Sequence, residues 1–311
     1  MTSRNTFMIP SSLLFLSLLA QPAMAGESEV QAERIADGIH VLGPFGGNIG
    51  AVIGDDGIFL IDDQVAPVTE AVRAKLDKLP GGKGAPVRFV LNTHFHADHT
   101  GGNENLGKAG AVIVAHDNVR AQMSTEEFRA GFIENGGKDL DAALPVVTFN
   151  DRVTFHINGR TLVTRHYPHA HTDGDSVVWF KEDNIVHMGD IYFQAGYPFI
   201  DIDHGGSIDG VIAAVRDVLE DVDARTIVIP GHGAVSDREG LREYLGMLTD
   251  LRGAVTAAID AGKSLDDIKA MHLSREYDAR WNWKIISGDR FIETIHSSLV
   301  AARRHQHGDH S

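Results

Sequence analysis

The sequence contains no cysteine among its 311 residues. The chain therefore forms no disulfide and cannot be anchored as a lipoprotein, so its fold must be stabilised by its core and by any bound metal. Basic residues are also scarce: 28 Lys and Arg stand against 43 Asp and Glu, and the formal net charge is −15. An acidic surface of this kind argues against nucleic acid and anionic membranes as partners.

The N-terminal apolar stretch is too short to span a bilayer comfortably, because it runs only from Ile9 to Leu19. Arg4 precedes it, and Ala23-Met24-Ala25 follows it as a small-x-small cleavage pattern. These features predict a secretory signal peptide at residues 1–25 and no stable membrane anchor after cleavage. We therefore expect a secreted protein, most simply one of a bacterial periplasm.

The rest of the chain, residues 26–311, is predicted to form a single domain, because no repeat or low-complexity linker interrupts it. Apolar runs on both sides of Gly54-Asp55-Asp56-Gly57 and of Asn158-Gly159 predict two hairpins. Strand and helix patterns alternate in both halves, and a helical part begins near Leu241. Two similar mixed halves favour two packed sheets with helices outside.

The densest group of polar residues is Thr93-His94-Phe95-His96-Ala97-Asp98-His99, directly after the apolar segment Val87–Leu91. It contains three imidazoles and one carboxylate, the ligand types that Zn²⁺ prefers. Four such groups are more than one tetrahedral ion would take from a single loop. The spacing therefore indicates two metal ions.

Four further segments place a potential ligand after a predicted strand. In α/β folds, sites form where the carboxyl ends of strands converge, and glycine lets the backbone approach an ion closely. The segments are Leu60-Ile61-Asp62-Asp63, His169-Ala170-His171-Thr172, Gly189-Asp190 and Pro230-Gly231-His232-Gly233.

Taken in order, these motifs resemble those of the metallo-β-lactamase superfamily, over roughly residues 33–235. The resemblance implies an α/β (α+β) fold, a four-layer αβ/βα sandwich with the metals at one edge between the sheets. It also implies two Zn²⁺ ions per chain. The implied ligands are His94, His96 and His171 for the first ion, Asp98, His99 and His232 for the second, and Asp190 for both.

The resemblance also narrows the branch of the superfamily. Members with a cysteine ligand carry it where this chain has Asp190, so the chain is similar to the broad hydrolase branch, which includes glyoxalase II-like enzymes, lactonases and ancestral-looking β-lactamases. His96 stands where flavodiiron proteins carry glutamate, which favours zinc. The family places a threonine after its ligand, so Thr172, expected to support the site, selects His171 over His169.

Asp62 resembles an aspartate that the family carries at an early strand end. We expect it to accept a hydrogen bond from the metal loop and fix that loop. A turn-capping role for Asp62, and Asp63 in its place, both stay open at this point.

The predicted function is zinc-dependent hydrolysis. Two cations lower the pKa of a bridging water from about 15.7 to about 7, and the hydroxide attacks a carbonyl carbon while Asp98 acts as the catalytic residue that orients it. Export favours β-lactams as substrates of this reaction. The alternatives are a lactonase or (thio)esterase, an iron-dependent persulfide dioxygenase of the same fold, and a non-catalytic zinc-binding protein.

The substrate pocket is less well marked in the sequence. Phe193 occupies the position of a tyrosine in lactonases and of a carboxylate-binding lysine in cysteine-ligand β-lactamases, with Tyr192 one residue earlier. Phe45 precedes the first hairpin in a potential flap, and His204 is expected near the pocket mouth. We expect a small-molecule substrate, and nothing in the sequence sets the oligomeric state.

Overall fold

The computed structural model describes residues 29–43 and 46–308. The predicted signal peptide, residues 1–25, and Phe45 lie outside these residues. None of the helices in the described part of the chain combines the length and the hydrophobicity that crossing a bilayer requires.

Thirteen strands in the described residues form two sheets. The first sheet contains β1 (Gln31–Ala36), β2 (Ile39–Gly43), β3 (Ile49–Gly54), β4 (Gly57–Ile61), β5 (Val87–Leu91), β6 (Val112–His116) and β7 (Val147–Phe149), in that order across the sheet. The second sheet has the order β13-β12-β11-β10-β9-β8. Its strands are β8 (Arg152–Ile157), β9 (Arg160–His166), β10 (Ser176–Phe180), β11 (Ile185–His187), β12 (Ile227–Ile229) and β13 (Ser236–Asp237).

Helices cover the outer faces of the two sheets. The first half contributes Thr69–Leu76, Ala97–Thr100, Asn103–Lys108, Asp117–Met123, Glu126–Glu134 and Leu140–Ala143. The second half contributes Ile208–Asp221, Arg238–Asp260, Leu265–Ala270, Asp278–Trp281 and Gly288–Gly308. Short 3₁₀ turns lie at Ala66–Val68, Gly189–Ile191 and Ile202–His204.

The middle layer of the core lies between the sheets, where Phe59 and Leu91 of the first sheet share one apolar cluster with Val178 and Ile229 of the second. A second apolar cluster joins the outer face of the second sheet to the long C-terminal helices, and a third joins the first sheet to Thr69–Leu76. The predicted four-layer α/β sandwich is confirmed.

Strand direction determines where the polar loops meet. Strands β4 to β7 pair in parallel, and so do β11 and β12. Their carboxyl ends therefore lie along one edge, which is where ligand-bearing loops converge in such folds. Asn48 joins the two sheets at this edge, because its side-chain amide donates to the carbonyls of Pro230 and Gly233, both at 2.9 Å.

Candidate metal centre

The histidine-rich loop follows β5 and is fixed by Asp62, at the end of the neighbouring strand β4. One Asp62 oxygen accepts the Thr93 backbone N–H at 2.7 Å, and the other accepts the Thr93 hydroxyl at 2.8 Å. The second oxygen also accepts His99 Nδ1–H at 2.8 Å. Asp62 thus holds both ends of the loop and leaves His99 Nε2 facing the cluster, the arrangement expected of a carboxylate behind a metal ligand.

Asp63 has a different task. Its carboxylate accepts the backbone N–H of Gly102 at 2.9 Å, beyond the short helix Ala97–Thr100. The alternative in which Asp63 takes the place of Asp62 is therefore not what the geometry shows. Asp62 itself has φ +62°, a left-handed conformation that costs free energy in a non-glycine residue and often marks a functional position.

A first group of donor atoms belongs to His94, His96, His171 and Asp190, and these atoms lie within 4.8 Å of one another. His171 Nε2 is 2.9 Å from His96 Nδ1 and 3.5 Å from Asp190 Oδ2. His94 Nε2 is 3.7 Å from the same oxygen. The structure places His171 in this group and not His169, which is exposed and bonds the Gly205 carbonyl.

The outer nitrogens of two of these imidazoles are held by the segment that follows Pro198. His171 Nδ1 donates to the Phe199 carbonyl at 2.8 Å, so its Nε2 points inward. His96 Nε2 is 2.9 Å from Asp201 Oδ2, so its Nδ1 points inward. The same Asp201 oxygen also lies 2.8 Å from His204 Nδ1. Asp201 is thus a supporting residue that the sequence motifs do not reveal.

A second group comprises Asp98, His99 and His232, again with one donor atom from each within 4.8 Å of the others. His232 Nε2 is 3.4 Å from His99 Nε2 and 3.3 Å from Asp98 Oδ2. Asp190 lies between the two groups, because its Oδ1 is 3.1 Å from His99 Nε2 and its Oδ2 is 3.3 Å from His232 Nε2. A carboxylate in this position can bridge two cations.

Two glycines show why the ligand motifs contain small residues. A Cβ on Gly231 would lie 2.0 Å from Asp190 Oδ1, and a Cβ on Gly47 would lie 2.2 Å from the His99 ring. The backbone at both positions packs directly against ligand side chains. The Gln64 side-chain amide donates to the Gly47 carbonyl and ties that loop to the centre.

The electrostatics differ between the two groups. Burial lowers the pKa of His171 to about 4 and the pKa of His94 well below its usual range, so both rings are neutral and able to bind a metal. Burial would also lower the pKa of His232, but the carboxylates of Asp190 and Asp98 outweigh it and raise that pKa to about 9. The carboxylates raise the pKa of His99 in the same way.

These features fit a pair of divalent cations. The carboxyl pKa of Asp98 is lowered to about 2, and that of Asp190 is lowered well below its usual range, because neighbouring imidazoles outweigh the effect of burial. Two anions are thus buried among imidazoles, while His94 Nε2 and Asp190 Oδ1 are buried without a well-aligned hydrogen bond, although Asp190 Oδ1 lies 3.1 Å from His99 Nε2. Buried polar atoms need a partner, and a cation between them would satisfy both.

The remaining sequence-predicted residues divide into those near the centre and those away from it. Phe193 stacks on the His232 ring with 4.9 Å between centroids, and His204 packs against Phe95 at 5.0 Å, above His96. Tyr192 is not brought to the centre: it is fully buried in the core, and its hydroxyl bonds the Ser236 hydroxyl at 2.9 Å. The backbone at Tyr192 is extended, so the side chains of Tyr192 and Phe193 point in opposite directions, and of the two only Phe193 contacts the donor group at His232.

Thr172 supports the centre indirectly. Its hydroxyl and its backbone N–H both donate to the Asp175 carboxylate, at 2.6 and 2.8 Å. These bonds fix the turn directly after His171. Thr172 therefore shapes the loop that carries His171.

Comparison with known proteins agrees with this geometry. A family model described as "Metallo-beta-lactamase superfamily" matches residues 42–232, more than half of the chain. Among solved structures, a metallo-beta-lactamase from Pontibacter korlensis is 20% identical with a TM-score of 0.58, over 71% of this chain and 99% of that one. A double mutant of the sec-alkyl sulfatase PisA1 is 16% identical with a TM-score of 0.68, over 87% of this chain and 50% of that one. At these identities the structures are evidence of the fold alone.

Curated relatives carry related names. A hydroxyacylglutathione hydrolase of Polaromonas sp. is 27% identical over 158 residues, which cover 50% of this chain and 52% of that protein. The probable metallo-hydrolase YqgX of Bacillus subtilis is 24% identical over 201 residues, 63% of this chain and 89% of that protein. The chain thus spans about half the length of the Polaromonas relative that it matches.

Proposed function

Because the chain belongs to the metallo-beta-lactamase superfamily, we propose that it is a zinc-dependent hydrolase that opens cyclic amides or esters, and that β-lactams are among its substrates. The observation that carries the proposal is the pair of donor groups that share Asp190. A purely structural zinc site closes its own coordination shell, whereas two adjoining groups of three and four donors suit a reactive centre.

We propose that His94, His96, His171 and Asp190 hold one Zn²⁺ and that Asp98, His99, His232 and Asp190 hold the other. Imidazole and carboxylate donors without thiolate suit zinc. When bound, the two ions lower the pKa of water to about 7 and polarise a carbonyl oxygen. The second donor group also favours this proposal over an iron-dependent dioxygenase, which by the family resemblance uses the first group alone.

The side chains around the centre have separate tasks in this proposal. Asp98 is ionised at neutral pH, because its pKa is lowered to about 2, so its carboxylate is able to accept a proton of the attacking water and orient it. Asp62 and Asp201 keep His99 and His96 in the orientations that face the centre. Phe193 covers one face of His232 and limits the access of solvent to it.

A second candidate activity is hydrolysis of an ester or thioester. The curated relatives named hydroxyacylglutathione hydrolase favour it, at 27–28% identity. Phe193 also leaves no positive charge at the position where cysteine-ligand β-lactamases carry a lysine. The same centre suits both activities, because each requires attack of water on a carbonyl carbon.

The test is hydrolysis of a chromogenic cephalosporin by the zinc-loaded protein, with and without a chelator. We expect turnover that the chelator removes. We also expect Asp98→Ala and His171→Ala to lose that turnover, while the neighbouring variant His169→Ala keeps it. Full activity in Asp98→Ala or His171→Ala would overturn the ligand assignment. A protein that binds two zinc ions but turns over only lactones or thioesters would overturn the β-lactam proposal and establish the second candidate.

We further propose that residues 1–25 direct export and are removed after Ala25. The support is the sequence pattern described above. N-terminal sequencing of the protein recovered from a bacterial periplasm is expected to begin at Gly26. A protein that retains Met1 in that compartment would contradict the proposal.

A further inference from the structure

A segment beyond the family match reaches the metal centre. Residues 278–287 lie C-terminal to the matched region, which ends at residue 232. Two hydrogen bonds tie the segment to the chain that follows Phe193: Tyr197 N–H donates to the Trp281 carbonyl at 2.7 Å, and Trp283 Nε1–H donates to the Tyr197 carbonyl at 2.9 Å. The helical C-terminal part therefore takes part in forming the site.

Trp283 lies beside the second donor group. Its ring centroid is 6.0 Å from that of Phe193 and 6.3 Å from that of His232. His232 in turn stacks on Phe193 with an interplanar angle of 17°. The three rings pack against one another, and because Phe193 is buried and Trp283 is half-buried, Trp283 is the more accessible of these two aromatic rings. We call Phe193 and Trp283 the aromatic wall.

The position of the indole is fixed. A Cβ on Gly196 would lie 2.5 Å from Trp283 Cδ1, so the indole packs directly against the glycine backbone. Its only polar atom, Nε1, is already bonded to Tyr197. The ring is therefore held rigidly by its five-membered edge, and a rigid aromatic ring loses little conformational freedom when a ligand packs on it.

Core packing accounts for only part of Trp283, which packs against the same apolar cluster as Trp281 but stays half-buried. Trp281 is 3% exposed, with its ring 5.7 Å from that of Tyr244 in the core. Trp283, by contrast, leaves part of its surface accessible, and its ring lies 6.3 Å from that of His232. An accessible tryptophan that adjoins a reactive centre is typical of a binding surface.

We propose that the accessible part of Trp283, which Phe193 supports from behind in the aromatic wall, binds a flat apolar group of the substrate, next to the carbonyl that is cleaved. The inference rests on the proposed hydrolase function and narrows its substrates to carbonyl compounds with an aromatic or other planar apolar substituent. Offset stacking on an aromatic ring at 4.5–7 Å contributes enough free energy to change affinity by about tenfold. Small aliphatic acyl compounds gain nothing from it.

The first experiment measures binding without turnover. Phenylacetate and acetate, which share a carboxylate but differ in the aromatic ring, are titrated against the zinc-loaded protein by calorimetry. We expect phenylacetate to bind about tenfold more tightly than acetate, and Trp283→Ala to lose that preference while acetate affinity stays unchanged. Equal preference in wild type and Trp283→Ala would overturn the proposal. Trp179→Phe, which alters a tryptophan on β10, serves as the control.

A second measurement tests the placement of Trp283. Replacement of zinc by Co²⁺ is expected to quench tryptophan emission in the wild type and in Trp179→Phe, and to quench it far less in Trp283→Phe. Unchanged quenching in Trp283→Phe would contradict the placement. If no carbonyl compound is hydrolysed but the phenylacetate preference depends on Trp283, the proposed hydrolase function fails while the aromatic wall stands.

Discussion

Asp62 and Asp201 have the same task at opposite ends of the metal centre. Asp62 bonds the outer nitrogen of His99, and Asp201 bonds the outer nitrogen of His96. Each carboxylate fixes the tautomer of its histidine and makes the inner nitrogen a better ligand. Neither carboxylate belongs to the two donor groups, yet each determines which ring nitrogen of its histidine faces the metal centre.

We predict that Asp201→Asn weakens zinc binding by about 10- to 100-fold, because His96 loses the carboxylate that orients it. Competition with a chromophoric chelator measures the affinity. The exposed neighbour provides a matched control, since Asp203→Asn removes the same charge two residues away and should leave affinity unchanged. Equal zinc affinity in wild type and Asp201→Asn would show that Asp201 does not support the centre.

A stacked histidine pair links the two sheets away from the metal. The rings of His116 and His166 lie 3.6 Å apart at an angle of 11°. His116 Nε2 donates to the Asn150 carbonyl, and His166 Nδ1 donates to the Asp175 carbonyl. Burial, with the adjacent His116 as a second cause, lowers the pKa of His166 from 6.5 to about 4.

This pair predicts sensitivity to acid. Between about pH 6.5 and pH 4 the unfolded state binds a proton at His166 that the folded state does not, so stability falls as the pH falls through that window. The slope of Tm against pH over this window is expected to be smaller in His166→Gln than in wild type. The exposed His156→Gln should retain the wild-type slope. An unchanged slope in His166→Gln would refute the prediction.

The hairpins and the regular helices were predictable because their residues favour them locally. Asn158 and Gly159 adopt φ of 52° and 70°, the left-handed pair that an Asn-Gly turn requires. Ile208–Asp221 presents one apolar face, as its spacing predicts. The strand Gln31–Ala36 was not predictable in this way, because it is largely exposed and carries no alternating pattern.

Elements with weak patterns depend on their neighbours instead. The helices Asp117–Met123 and Glu126–Glu134 were not predicted, since few of their residues are buried. The apolar residues Val68, Val72, Leu76 and Leu79 have the spacing of one helical face, but the helix ends at Leu76, before Pro80. Ligand loops were predictable from strand ends, whereas Asp201 and Trp283 meet the centre only through contacts between distant segments.

The long helix Arg238–Asp260 contains two exposed glycines that serve no contact. A Cβ on Gly246 or on Gly253 meets nothing within 4 Å. Glycine in a helix interior is less favourable than alanine by about 1 kcal/mol. We therefore predict that Gly246→Ala raises Tm by about 2–4 °C.

The contrasting variant in the same helix is Gly240→Ala. Its Cβ would lie 2.3 Å from the Ser236 hydroxyl, so this change should lower Tm. Thermal unfolding followed by circular dichroism measures both variants. A drop in Tm for Gly246→Ala would contradict the prediction, because it would mean that the added methyl group clashes with an atom that the structure does not place there.

At the scale of the whole molecule, the composition leads us to expect that a bound metal stabilises the sandwich. With no cysteine, no disulfide links the two sheets. The centre draws ligands from both, with His94 and His99 following β5 and Asp190 and His232 following β11 and β12. Cations bound by these ligands would therefore hold the two sheets together at one edge, and their positive charge would replace that of the protons on His99 and His232.

We predict that removing the metal lowers Tm by roughly 5–10 °C, because a ligand that binds the folded state at 100 times its Kd stabilises that state by about 2.7 kcal/mol. Differential scanning calorimetry before and after dialysis against a chelator measures the change, and zinc should restore the original Tm with two ions per chain. His232→Ala should retain one ion, and His169→Ala should retain two. A Tm that the chelator leaves unchanged, despite loss of both ions, would mean that the sheets are held together by their apolar core alone.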